Sequence, residues 1–276
     1  MQLFKRTPTP RHHRGYPLQD YAQWWSWSGE AATALRRCSR HLPRVRPRLT
    51  SVPSCFPYAQ TYDVSLRGVS KELRVELSAI GEAITKVRLG SRMYLLRDLF
   101  CTEFTPVDFH RLLAFVRAAL VELKGDPGYC LHSPLQPGPA NFSEFKLHAD
   151  LFLAKRLFLV FDDVSRDDSG ASIFLPRQRL FLLLRQLKSM PHGVRVEIEN
   201  MFRVPIERDS FDQLFSLLHS DSPWQAELAV LLKLNQREIY LHRGEGYLLH
   251  DRHWLHGRTM SQSKIGRRRF YRLVCG

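Results

Sequence analysis

Gly246-Tyr247-Leu248-Leu249-His250-Asp251-Arg252-His253-Trp254-Leu255-His256-Gly257-Arg258-Thr259, with Gly266-Arg267-Arg268-Arg269-Phe270-Tyr271-Arg272-Leu273-Val274 close behind it, sets short apolar runs among histidines and arginines. Upstream sits Leu147-His148-Ala149-Asp150. Residues two apart on a strand project to the same face, so His148 and Asp150 can reach one ion together. Two neutral imidazoles and one carboxylate, with the second imidazole from a distant histidine, form the ligand set that leaves three positions open on non-haem Fe(II). The arginines that follow suit a dicarboxylate, because a guanidinium fork matches a carboxylate bidentately and a lysine does not.

Each part is weak alone. A chain with 12 histidines produces a His-x-Asp tripeptide by chance, and a polar strand edge accounts for it equally well. His256 has His250 and His253 as neighbours that can replace it. The arginine run reads otherwise as a basic tail in solvent, but Phe270, Leu273 and Val274 give it the composition of a strand. The joint pattern is what points to a metal centre: His-x-Asp near the start of a strand series, a histidine near its end, and arginines 267, 268, 269 and 272 beyond it.

The rest of the chain sets the outer limits. Its 276 residues suffice for one large β domain or two small ones, and 44% hydrophobic and 11% aromatic content suit a globular protein. No apolar run approaches the ~18 residues of a membrane-spanning helix, so no membrane partner is expected. The basic N-terminal residues are not followed by an apolar stretch, so no signal peptide is expected. Five scattered cysteines without a CxxC pair fit reduced thiols and a cytoplasmic location.

Charge is unevenly spread. Residues 1–50 carry +8 of the net +14, which reads either as a solvated basic extension or as a patch for an acidic partner such as nucleic acid, a carrier protein or a phosphorylated substrate. Trp24, Trp25 and Trp27 lie in this stretch, and docking of them onto the core is preferred here to stacking on bases.

The pattern predicts a helix over 19–41, an extended linker marked by Pro43, Pro47, Pro53 and Pro57, and a helix over 69–88. Thr105, Pro106 and Gly125 bound a firmer helix at 106–124. Short strands follow at Tyr129–Leu131, Leu157–Phe161, Ser172–Phe174, Val194–Ile198, Ile239–Leu241, Gly246–His250 and Phe270–Val274. Helices are expected from Pro176 to about Met190 and over 209–219. The expected fold is mainly β with helical support. Residues 1–50 form a basic, Trp-containing extension, and 51–276 form one domain, a jelly-roll or antiparallel barrel core with its helices, over about 51–125, packed on one sheet.

The segment 247–259 resembles the "llfDNrrvlHgRt" signature of the taurine dioxygenase-like family, and Arg267–Arg272 resembles its closing "RRxxxR". The Gly170-Ala171-Ser172 turn is similar to the family's "GGxT" turn. The motifs cover the stretch from His148 to Arg272, and residues 1–100 match nothing in that family. The resemblance implies a double-stranded β-helix that binds Fe(II), 2-oxoglutarate and O2. It makes His148, Asp150 and His256 the metal ligands and leaves His250 and His253 outside the set. It assigns Arg268 to the distal carboxylate of 2-oxoglutarate, Ser172 to a supporting hydroxyl contact, and Arg272 to the keto-acid end or the substrate. Ser169, Ser172, Leu147 and Arg252 differ from the usual residues, while the presence of Asp150 argues against a halogenase.

The expectation is therefore an Fe(II)/2-oxoglutarate dioxygenase that hydroxylates a small molecule such as an amino acid or its derivative, acidic or carrier-bound among the options. The rivals are a cupin-like metal enzyme that does not use 2-oxoglutarate and a basic nucleic-acid-binding protein on a non-catalytic fold. The primary substrate and the oligomeric state have no signal in the sequence.

Overall fold

A computed structural model describes residues 2–8, 22–51, 60–87, 92–100, 105–124, 130–135, 145–149, 156–164, 170–203, 221–259 and 268–276, with 214, 216 and 218. Three helices begin where the sequence supplies caps. In α1 (Gly29–His41) Ser28 accepts from Ala31 N at 3.1 Å, and in α2 (Lys71–Thr85) Ser70 accepts from Leu73 N at 3.2 Å. In α3 (Pro106–Lys124) Thr105 accepts from Asp108 N at 3.1 Å, with proline at the first helical position. Each cap satisfies an otherwise orphaned N–H.

Among the described residues, thirteen strands appear: β1 (Phe4–Thr7), β2 (Ala22–Trp27), β3 (Arg48–Ser51), β4 (Gln60–Asp63), β5 (Met93–Leu96), β6 (Cys130–Leu135), β7 (Phe145–His148), β8 (Arg156–Val164), β9 (Ser172–Pro176), β10 (Arg237–Ile239), β11 (Gly246–Leu249), β12 (Trp254–Arg258) and β13 (Arg268–Cys275). They form a seven-stranded sheet, β1-β2-β5-β11-β8-β13-β6, a four-stranded sheet, β10-β9-β12-β7, and the β3-β4 hairpin. All described pairings are antiparallel except β2 with β5.

Three apolar layers follow from strand alternation. Leu96, Phe158, Val160, Leu248 and Leu273 of the larger sheet pack against α1, α2 and α3. Leu95, Leu159, Phe161, Tyr247 and Val274, on its opposite face, meet Phe174 and Trp254 of the smaller sheet. The outer face of the smaller sheet, with Leu147, Ile173, Leu175 and Leu255, is covered by α4 (Arg177–Gln186), α5 (His192–Arg203) and α6 (Gln225–Asn235). Burying each such side chain stabilises the fold by about 1.5–3 kcal/mol before conformational entropy opposes it.

Several expectations change. Residues 22–41 are a strand and then a helix, not one helix, because Ala22, Trp24 and Ser26 are buried with strand spacing and Ser28 turns the chain. Trp24 joins the inter-sheet core and Trp27 the helical layer, where its Nε1 donates to Leu99 O at 3.2 Å. Arg48–Ser51, inside the expected linker, pairs with β4. Val194–Ile198 is helical: Ile198 is buried and Val194 packs beside it, but Val196, between them, is exposed, so their alternation is not that of a strand. Helix α6 and strands β1, β4, β5 and β12 were not anticipated as elements. The segment expected to be helical at 209–219 lies mostly outside the described residues.

Candidate metal centre

Strand β12 runs between β9 and β7, and its alternation decides which way its histidine faces. Trp254 lies in the inter-sheet core and Leu255 in the outer helical layer, so His256 faces the inter-sheet space. In β7 Leu147 packs outward, which turns His148 inward. The register places His256 directly opposite His148, and their ring centroids are 4.5 Å apart at 50°. His256 is 6% exposed. Tyr247 of the facing sheet stands 6.0 Å from its ring, and Phe174 meets Tyr247 edge-on at 5.0 Å. Two imidazoles from segments over a hundred positions apart thus share one mostly apolar recess.

The other candidate histidines lie elsewhere. His250 and His253 face each other at 4.3 Å in the turn between β11 and β12. His253 is exposed there, its backbone oxygen accepts from Arg177 N at 2.8 Å, and burial, then the charges of Arg177, Arg156 and Arg252, lower its pKa.

Ser172 is 2% exposed and lies on the inward-facing side of β9, in register with Arg258 of β12. Gly170 has φ 79°, a left-handed conformation suited to glycine. Ala171 N donates to Thr259 Oγ1 at 2.8 Å and Thr259 N donates to Ala171 O at 2.9 Å. The two short motifs, Gly170-Ala171-Ser172 and His256-Gly257-Arg258-Thr259, are therefore tied together by reciprocal bonds.

On β13, Leu273 and Cys275 face the helices, whereas Phe270 and Val274 face the inter-sheet core. Arg272 falls between the latter two in the alternation. The backbone of Arg268 pairs with Val164. Arg269 is committed to another role: its Nε donates to both oxygens of Asp162, at 2.8 and 2.9 Å, on the helical side of β8. Asp162 thereby stands away from the paired histidines. Asp150 lies outside the described residues. Among the described residues no three His, Cys, Asp or Glu side chains gather as a metal-binding set. Two imidazoles on facing strand positions are donors of the kind that Fe(II) takes.

Sequence reasoning did not assign roles to Asp251, Arg258 or Thr259. Asp251 is fully buried at the side chain, with Oδ1 3.6 Å from His256 Nδ1. Arg258 is half-buried, and burial lowers its pKa. The alternation around His256 was the available signal for Arg258. Asp251 and Thr259 match the D and the final t of the signature that 247–259 resembles, but the motif gave them no role.

No family model and no curated protein matches the chain. Among solved structures, it is similar to the asparagine oxygenase AsnO, with 13% identity, TM-score 0.49 and coverage of 91% of each chain. A complex of asparagine oxygenase with Fe(II), 2S,3S-3-hydroxyasparagine and succinate matches with 12% identity and TM-score 0.48, covering 91% of this chain and 92% of that one. The non-heme iron oxygenase OrfP in complex with Fe matches with 13% identity and TM-score 0.45, covering 92% of this chain and 94% of that one. These are likenesses of layout, and the functional reading rests on the chain's own residues. Among the described residues no helix is long and apolar enough to cross a membrane.

Proposed function

We propose that the protein is an Fe(II)- and 2-oxoglutarate-dependent oxygenase on a double-stranded β-helix, hydroxylating a small molecule such as an amino acid or an amino-acid derivative. The observation that carries the reading is the pairing of His148 with His256 across β7 and β12, both facing the recess between the sheets. His148 and His256 supply two nitrogen donors, and Asp150, two residues beyond His148, is the proposed third ligand. Bound iron with 2-oxoglutarate and O2 supplies the oxidising chemistry, one oxygen atom going to the substrate and the other to succinate as CO2 is released. Arg268 is assigned to the distal carboxylate of 2-oxoglutarate, since its neighbour Arg269 is held by Asp162. Ser172 adds a hydroxyl beside the metal-bearing strand, and Arg272 serves the keto-acid end or the substrate. Tyr247, Phe174 and Trp254 belong to the apolar core between the sheets beside this pair, which limits water there.

The test is metal content and succinate formation. His148→Ala, Asp150→Ala and His256→Ala should each abolish stoichiometric Fe(II) binding and turnover of 2-oxoglutarate with candidate amino acids, whereas His250→Ala and His253→Ala should retain iron. Iron lost from His253→Ala but kept by His256→Ala would shift the ligand assignment by three residues. Succinate formation independent of Arg268, or none at all in an iron-loaded protein, favours the metal enzyme that does not use 2-oxoglutarate.

A further inference from the structure

We propose that Asp251 is a positioning residue that holds the His256 imidazole in the Nδ1–H tautomer and so presents Nε2 to the metal; this rests on the metal-centre reading above. The carboxylate and the ring are both removed from water, with side-chain exposures of 0% for Asp251 and 7% for His256. Their 3.6 Å separation is an ion-pair distance, longer than a hydrogen bond. In a site this dry a carboxylate acts strongly on a neighbouring dipole. A carboxylate facing Nδ1 favours a hydrogen there and disfavours a lone pair, which leaves the lone pair on Nε2. Metal-binding histidines are commonly oriented by a carboxylate, carbonyl or water at their other ring nitrogen.

The local chain is built to deliver that carboxylate. His253 N donates to His250 O at 2.8 Å, and Arg252 N donates to His250 Nδ1 at 3.3 Å, closing a tight turn around Asp251. Arg177 N donates to His253 O at 2.8 Å, fixing the turn against the start of α4. Asp251 therefore sits in a rigid corner between the strand that bears Tyr247 and the strand that bears His256. A solvated aspartate in this turn would satisfy the chain's charge equally well, but the side chain is turned inward. Burying a carboxylate costs several kcal/mol unless partners compensate it, and the His256 imidazole is one group within ion-pair reach of it.

The test uses the full chain and two readouts besides turnover. In the metal-free protein, long-range proton–nitrogen NMR correlations of the imidazole rings, assigned by the loss of one ring in His256→Ala, report the tautomer of His256. The expected form is Nδ1–H; an Nε2–H ring in the unmodified protein overturns the proposal whatever the variants do. Co(II) titration followed by ligand-field absorption then gives affinity and site geometry. Asp251→Ala should weaken Co(II) binding roughly ten- to a hundred-fold and alter the absorption band. Asp251→Asn, which retains an acceptor oxygen, should recover part of the loss, and its metal-free melting curve checks the fold. Unchanged Co(II) affinity and spectrum in both variants, with binding lost in His256→Ala, overturns the role of Asp251 while leaving the metal centre standing. Unchanged binding in His256→Ala instead overturns the metal-centre reading, and the proposal with it.

Discussion

The pair His110 and His132, behind the strand that carries the arginines, makes the fold acid-sensitive in a calculable way. His132 Nδ1 lies 3.3 Å from Arg272 O and its Nε2 lies 2.8 Å from His110 Nδ1. A carbonyl only accepts, so His132 carries its hydrogen on Nδ1, and His110 Nδ1–H donates to the bare Nε2. Tyr271 stacks on His110 at 4.3 Å, and Thr61 bonds reciprocally with the His132 backbone. Burial, then the charge of Arg269, lowers the His110 pKa to about 4. Burial above all lowers that of His132 well below the ordinary histidine range. With a folded pKa below the unfolded value, the folded state binds fewer protons. Stability is fully present above about pH 6.5 and is lost as pH falls through about 4. For His110 alone, the linkage relation gives a loss on the order of 1 kcal/mol at pH 5.5, growing to roughly 2–3 kcal/mol at pH 4.5. His110→Gln removes the titrating group but keeps an N–H donor for His132. Urea denaturation of both proteins between pH 7.5 and 4.5 should show the unmodified chain losing those amounts in excess of the variant. Parallel loss in the two proteins would refute the reasoning, because carboxylates elsewhere contribute equally to both.

Two further outcomes are expected. Arg268→Ala should weaken 2-oxoglutarate binding by about 2–5 kcal/mol, roughly thirty-fold or more, in anaerobic titrations of the Fe(II) protein. Arg269→Ala should leave that affinity intact but lower stability by about 1–3 kcal/mol, through loss of a partner of buried Asp162; the reverse result would exchange the two assignments. Gly246→Ala places a Cβ 1.9 Å from Leu159 O, a backbone atom that no side-chain rotation can move aside. It should cost about 3 kcal/mol or more by forcing β11 from β8; a melting temperature unchanged by the substitution would show that the two strands part easily.

The sequence by itself determined the elements whose signals are local. Thr105 and Pro106 announced α3, Ser70 caps the helix expected over 69–88, and Phe270–Val274 had the composition of β13. Spacing and motif singled out His148, His256 and Ser172 as candidates, and the structure sets the two histidines on facing strand positions. Other features were not local. The run Ala22–Trp27 is a strand because β1 and β5 accept it on either side, and Val194–Ile198 is a helix because α4 and the smaller sheet bury one of its faces. Both outcomes depend on neighbours far along the chain, which override local propensity. The same holds at the site. Arg268 and Arg269 are identical in composition, and only the position of Asp162, 107 residues away, decides that Arg269 is taken up by an ion pair. Asp251 matched the D of the resembled signature without a role, and only the fold of the turn against Arg177 puts its carboxylate beside His256, since which side chain is buried against which is a property of the packed chain.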